Sequence, residues 1–128
     1  QKMLYGNPKL EGCIDELNEA ELVYNIKLKA AVASLKARVP DIKVVYIDIF
    51  DSFMDIVRNP AKYGFETSNR GCCGTGYIEV GITCNSNVSS ICPDASKYVF
   101  WDAVHSTERT YRLTAKIVLD KYISQLLS

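Results

Sequence analysis

The stretch IKVVYIDIF, Ile42 to Phe50, constrains the fold more than any other part of the chain. It is a nearly continuous apolar run rich in β-branched residues, interrupted by Lys43 and Asp48. That pattern predicts a strand covered on both faces, as in a parallel sheet between helical layers. A strand of that kind needs hydrogen-bonded neighbours, because buried backbone N–H and C=O groups must be paired. The sequence offers one further short strand, Tyr98 to Trp101, and three helices. Over residues 13–39, Ile14, Leu17, Ala20, Tyr24, Leu28, Ala31, Leu35 and Val39 recur at three- and four-residue steps. That spacing predicts an amphipathic helix, which Pro40 ends because proline lacks the donor and disfavours helix before itself. Ser52, with Asp55 three residues later, is expected to cap a short helix that stops at Asn59-Pro60. A last helix over about Thr107 to Leu127 is expected to bury Tyr111, Ala115, Val118, Tyr122 and Leu126. Residues 60–93 read as a long irregular excursion.

Two strands and three helices do not enclose a sheet that is apolar on both faces. The expected architecture is therefore α/β, a three-layer αβα arrangement with a parallel sheet, flavodoxin-like, of which residues 1–128 form the C-terminal part. The opening on Gln1 and a left-over Cys13 point the same way. At 48% hydrophobic and 23% charged residues, the composition is that of a globular domain. Fifteen basic and fifteen acidic residues cancel, with no Lys/Arg run, which argues against nucleic acid or an anionic membrane as partner. No apolar run is long enough for a transmembrane segment, and no signal peptide is visible.

Four of the five cysteines, Cys72, Cys73, Cys84 and Cys92, crowd into one Gly/Asn/Ser-rich region. No histidine accompanies them and no paired C-x-x-C spacing is present, so a zinc site is disfavoured against disulfides. The same spacing argues against a redox protein built on Cys72-Cys73. Four cysteines leave three pairings open. At least one disulfide is expected, with Cys84–Cys92 the favoured pair. Asn87-Val88-Ser89 is a glycosylation sequon in the same region, and together these features predict a secreted protein.

The stretch YVFWDAVHSTE, Tyr98 to Glu108, holds the only histidine, His105, three residues after Asp102. It follows an apolar segment and precedes the last helix, and strand-end loops of α/β folds are where reacting groups collect. A carboxylate beside an imidazole fixes one tautomer and stabilises the protonated ring, as a general base requires.

GCCGTG at Gly71–Gly76, CPDASKYVFWD at Cys92–Asp102 and the following AVHSTE together resemble the C-terminal half of the plant GDSL-type esterases/lipases, in the SGNH hydrolase superfamily. GCIDELNE at Gly12–Glu19 and NPAKYGFE at Asn59–Glu66 support the likeness, which runs in order through nearly the whole chain. The resemblance implies a serine ester hydrolase acting on small-molecule or lipid esters without metal or organic cofactor. It assigns the general base to His105 and the supporting acid to Asp102, with Trp101 a packing residue. Two departures stand out. Ser106 occupies the position where the family usually has proline, which implies a somewhat looser loop with Ser106 as a capping residue. The family's nucleophile motif and oxyanion-hole blocks do not occur here, and Ser52 in FDSFMD lacks the flanking glycine and leucine. The chain is thus expected to carry the base and its acid without the serine they activate, and to be inactive alone. The alternative is a non-catalytic secreted binding module derived from such an enzyme.

Overall fold

The computed structural model of the protein describes residues 14–85, 87 and 90–127. The first helix, α1 (Asp15–Arg38), has Asp15 and Glu16 in its first turn and Lys36 and Arg38 in its last. Those charges complement the helix dipole at both ends. The Val39 amide makes the last helical bond, to the Leu35 carbonyl, just before Pro40. The helix forms as expected, but its apolar stripe is only partly covered: no α1 residue is fully buried, Leu17 and Leu35 are half-buried, and Tyr24 and Leu28 are exposed. Leu17, Tyr24 and Leu28 instead line an open groove opposite Tyr46, Ile47 and Ile49.

Ile42–Ile49 is not helical, and it carries no ladder partner among the described residues. Its apolar composition suits a strand, yet a strand exists only through paired neighbours, and here none adjoins it. The segment is tied to the last helix through Asp48, whose amide donates to the Tyr122 hydroxyl at 3.2 Å. Phe50, read as its last residue, opens α2 (Phe50–Arg58). Ser52 consequently lies inside this helix and does not cap it. The Asp51 amide is met instead by the Asp48 carboxylate at 3.4 Å.

The sheet is small and parallel. Strand β1 (Thr67–Gly71) pairs with β2 (Tyr98–Phe100), with Thr67 opposite Tyr98 and Gly71 opposite Phe100. β1 was hidden in the region read as irregular, since TSNRG has no alternating apolar residues. Backbone bonds extend the pairing past both strands: Glu66 to Lys97 (2.8 Å), Cys72 to Phe100 (3.1 Å) and Cys73 to Trp101 (2.8 Å). Ile56 from α2, Phe65 and Val99 form the buried core, with Phe53, Val57, Phe100, Leu113 and Ile117 packed around them. Each such aliphatic, buried fully, contributes about 1.5–3 kcal/mol. Phe53 meets Phe100 edge to face, ring centroids 5.9 Å apart.

Helix α3 (Glu108–Leu127) begins after Thr107, whose hydroxyl accepts from the Thr110 amide at 3.4 Å. Thr107 is therefore the cap expected of Ser106, which sits one residue too early and bridges to Phe100. The inward face agrees with expectation in part. Tyr122 is buried and Val118 and Leu126 are half-buried, but Thr110, Leu113 and Ile117 also turn inward, whereas Tyr111 and Ala115 are exposed. Thr110 can be buried because its hydroxyl donates to the Val99 carbonyl at 2.8 Å. Arg109 fastens the start of α3 to the surrounding loops through the carbonyls of Tyr63 (3.0 Å), Gly64 (3.0 Å) and Ser96 (2.8 Å).

All four clustered cysteines are oxidised, as Cys72–Cys92 and Cys73–Cys84, with Cα separations of 5.0 and 5.6 Å. The favoured pairing Cys84–Cys92 is thereby overturned. The backbone explains the choice: the Cys92 amide donates to the Cys72 carbonyl and Ile91 bridges Cys73, setting Cys92 beside Cys72. Cys84 ends a separate 3₁₀ turn, Gly81–Thr83. Cys13 lies outside the described residues, as do Val88 and Ser89 of the sequon. Asn87 itself is exposed in a turn.

Candidate active site

The chain leaves β2 at Phe100 and folds back within five residues. The amides of Trp101 (2.8 Å) and Asp102 (3.4 Å) both donate to the His105 carbonyl, and Thr107 returns to Val99 at 3.0 Å. This closed turn holds the two residues singled out by sequence. Asp102 is buried, with no side-chain surface exposed, while 53% of the His105 side chain is open to solvent.

Four donors converge on the Asp102 carboxylate. Oδ1 accepts the amides of Val104 (2.8 Å) and His105 (2.6 Å). Oδ2 accepts the Gly81 amide (3.0 Å) and lies 2.7 Å from His105 Nδ1. Burial by itself favours the neutral acid, but the amides of His105 and Gly81, the His105 ring and the Val104 amide outweigh it. Together they hold the group at about 2 against an ordinary 3.8. Asp102 is thus ionised over the physiological range. An ionised carboxylate has no proton to give, so Nδ1 must carry the proton of this hydrogen bond. The neutral ring then presents Nε2 as a lone pair. No described residue is hydrogen-bonded to Nε2. The arrangement is an imidazole locked in one tautomer, its basic nitrogen free and its charged form pre-stabilised by a buried carboxylate.

Two further residues build the site, and the sequence reading did not select either. Gly71 ends β1 against the turn: a Cβ there would lie 2.8 Å from the Asp102 backbone. Gly81 supplies an amide to Asp102 from 21 residues away in sequence. Neither contact has a local sequence signature. The GCCGTG block marked Gly71 as part of a motif, but not as the floor under Asp102.

Beside the turn, a cleft of about 500 Å³ is lined by Phe53, Val57, Tyr77, Phe100, Ala103 and Val104, among others. Ser52 lies in α2 and is not bonded to His105. The clustered cysteines are bonded to each other and supply no thiolate. Among the described residues no group of three or more histidine, cysteine or acidic side chains is placed to hold a metal ion. No helix among them is long and apolar enough to cross a membrane.

Comparison with known proteins gives a consistent picture. The family model described as GDSL-like Lipase/Acylhydrolase matches residues 2–118. The chain is 48% identical over 122 residues to the GDSL esterase/lipase EXL3 of Arabidopsis thaliana, covering 95% of this chain and 34% of that protein. It is 42% identical over 123 residues to GDSL esterase/lipase EXL2 of the same plant, covering 96% of this chain and 32% of the relative. The chain thus spans about a third of the length of the curated relatives it matches. No solved structure matches it.

Proposed function

Because the chain belongs to the GDSL-like lipase/acylhydrolase family, we propose that it supplies the histidine base and supporting aspartate of a secreted carboxylic ester hydrolase. The nucleophilic serine and the oxyanion-hole donors belong to another part of the polypeptide. His105 Nε2 takes the proton of that serine as it attacks the ester carbonyl, and then gives the proton to the departing alcohol. Water repeats the cycle against the acyl-enzyme, with Nε2 again the acceptor. Asp102 stays ionised throughout and stabilises the imidazolium that forms at each step. The reaction needs no cofactor, and the substrate is a small-molecule or lipid ester.

The observation that carries this reading is the 2.7 Å contact between His105 Nδ1 and the buried, four-fold hydrogen-bonded Asp102. Burying a carboxylate is costly and gives little net stability. A carboxylate saturated with donors and aimed at one exposed imidazole matches the needs of a base that must be charged transiently. The same domain, on this reading, is the three-layer αβα fold, with α1 and Ile42–Ile49 packed against strands from the rest of the polypeptide. Two disulfides and the exposed Asn87 support an extracellular location.

A serine-directed fluorophosphonate tests the proposal. The complete polypeptide should take the label, and His105→Ala should slow labelling by orders of magnitude. The 128 residues alone should stay unlabelled. Labelling of the short chain, or labelling of the complete one at an unchanged rate without His105, would overturn it. The non-catalytic binding module is the reading that an unlabelled complete polypeptide would favour.

A further inference from the structure

We propose that the Cys73–Cys84 disulfide is a positioning element of the Asp102–His105 pair, acting through the backbone N–H of Gly81. This rests on the catalytic reading above and names how that site is held. Oδ1 of Asp102 is fixed from within its own turn, by the amides of Val104 and His105. Rotation about the Cβ–Cγ bond moves both oxygens together, so a bond to Oδ2 adds a further restraint on the torsion that these two bonds already hold. Oδ2 must come to rest facing Nδ1, and among the described residues the only donor besides the ring that meets it is Gly81, at 3.0 Å.

What holds Gly81 there is not packing. A Cβ at Gly81 would meet nothing within 4 Å, and the next residue, Ile82, is 92% exposed. The turn is instead a self-closed unit: the Cys84 amide donates to the Gly81 carbonyl at 2.9 Å, and the Val80 amide to the Thr83 hydroxyl at 2.9 Å. Cys84 and the Gly81 amide therefore move together. That unit is anchored covalently to Cys73, which is fully buried and whose own amide bonds to the Trp101 carbonyl, one residue before Asp102. A backbone bond from the Ala103 amide to the Glu79 carbonyl at 3.0 Å supports the anchor. Cys72–Cys92 closes a neighbouring loop and touches no donor of the carboxylate, so it serves as the matched control.

His105 is the only histidine, so one set of imidazole ¹H–¹⁵N signals reports the pair directly. In the intact chain, at a pH where the ring is neutral, these signals should show the Nδ1–H tautomer. Cys73→Ser/Cys84→Ser should move them toward the mixture of free imidazole, in which Nε2–H predominates. Cys72→Ser/Cys92→Ser should leave the tautomer in place, and circular dichroism establishes that each variant folds. Gly81→Val keeps both disulfides but disfavours the positive φ of 57°, and it should reproduce the shift. Gly81→Asn tolerates that φ and should restore the Nδ1–H form. In the complete enzyme, Cys73→Ser/Cys84→Ser should lower kcat about tenfold with KM unchanged, the size of one hydrogen bond to a charged group. An unchanged tautomer in a folded Cys73→Ser/Cys84→Ser chain overturns the proposal, as does an equal shift in the Cys72→Ser/Cys92→Ser control. Absence of esterase activity in the complete polypeptide would instead sink the catalytic reading, and the imidazole signals would still decide the positioning role.

Discussion

Asp102 is the residue whose environment does most to define this protein, and its pH dependence is the means of measuring it. Its carboxyl is depressed to about 2 from 3.8, so its contribution to stability is fully present above about pH 4. That contribution is lost as pH falls through the folded value, and it amounts to about 2 kcal/mol. Asp55 and Glu79, both half-buried, are also lowered to about 2, so the comparison has to isolate Asp102. Asp102→Asn does so. Urea unfolding of the parent between pH 5 and 2.5 should show a loss about 1.5 kcal/mol larger than that of the Asn variant. Parallel profiles would mean that the four donors do not act on a charged group. The two residues of the pair were legible in the sequence, because a carboxylate and an imidazole three residues apart in a strand-to-helix turn meet through local backbone bonds. Gly81 was not legible, since its bond to Asp102 is made across a disulfide-closed loop and leaves no trace in spacing.

At the level of elements, the site depends on how closely β1 approaches the turn after β2. Gly71 lies at that approach, and an added Cβ would press on the Asp102 backbone at 2.8 Å. Gly71→Ala should therefore cost about 1–3 kcal/mol, the usual range for overpacking against a backbone that cannot yield cheaply. A shift in urea midpoint at constant slope reads the loss, and an Ala variant as stable as the parent would show that the turn has room to move. Helices were the more legible elements here. α1 and α3 begin within two residues of their expected starts, because their periodicity and the proline stop are local properties. The inward face of α3 was legible in part: Tyr122 is buried as expected, whereas Thr110 counts as polar in sequence, yet its hydroxyl finds the Val99 carbonyl. Strands were less legible. TSNRG pairs without any apolar alternation, while the strongly apolar Ile42–Ile49 has no partner among the described residues and forms no ladder. Pairing is a relation between segments, and a single segment does not declare it. The same limit explains the cysteines: their oxidation followed from composition, whereas their partners followed from where Ile91 and the Gly81–Thr83 turn lie in space.

The whole molecule is a small α/β unit with a parallel two-stranded sheet. It carries a buried core of Ile56, Phe65 and Val99, and it leaves exposed much of the apolar stripe of α1 and the groove beside Ile47 and Ile49. An apolar run suited to a covered strand, left without a ladder, fits a chain that spans about a third of its relatives' length. The proposed enzyme is then divided, with the proton-handling pair on this chain and the nucleophile elsewhere in the polypeptide. In that enzyme His105 Nε2, oriented by Asp102, is the base of the reaction. Ester turnover by the complete polypeptide, measured on a short-chain p-nitrophenyl ester, is the test. His105→Ala should lower kcat by about 10⁴-fold or more, and Asp102→Ala by less, because an unoriented imidazole still accepts a proton. Turnover of the His105→Ala enzyme within about tenfold of the parent would contradict the account, since a group worth so little is not the base.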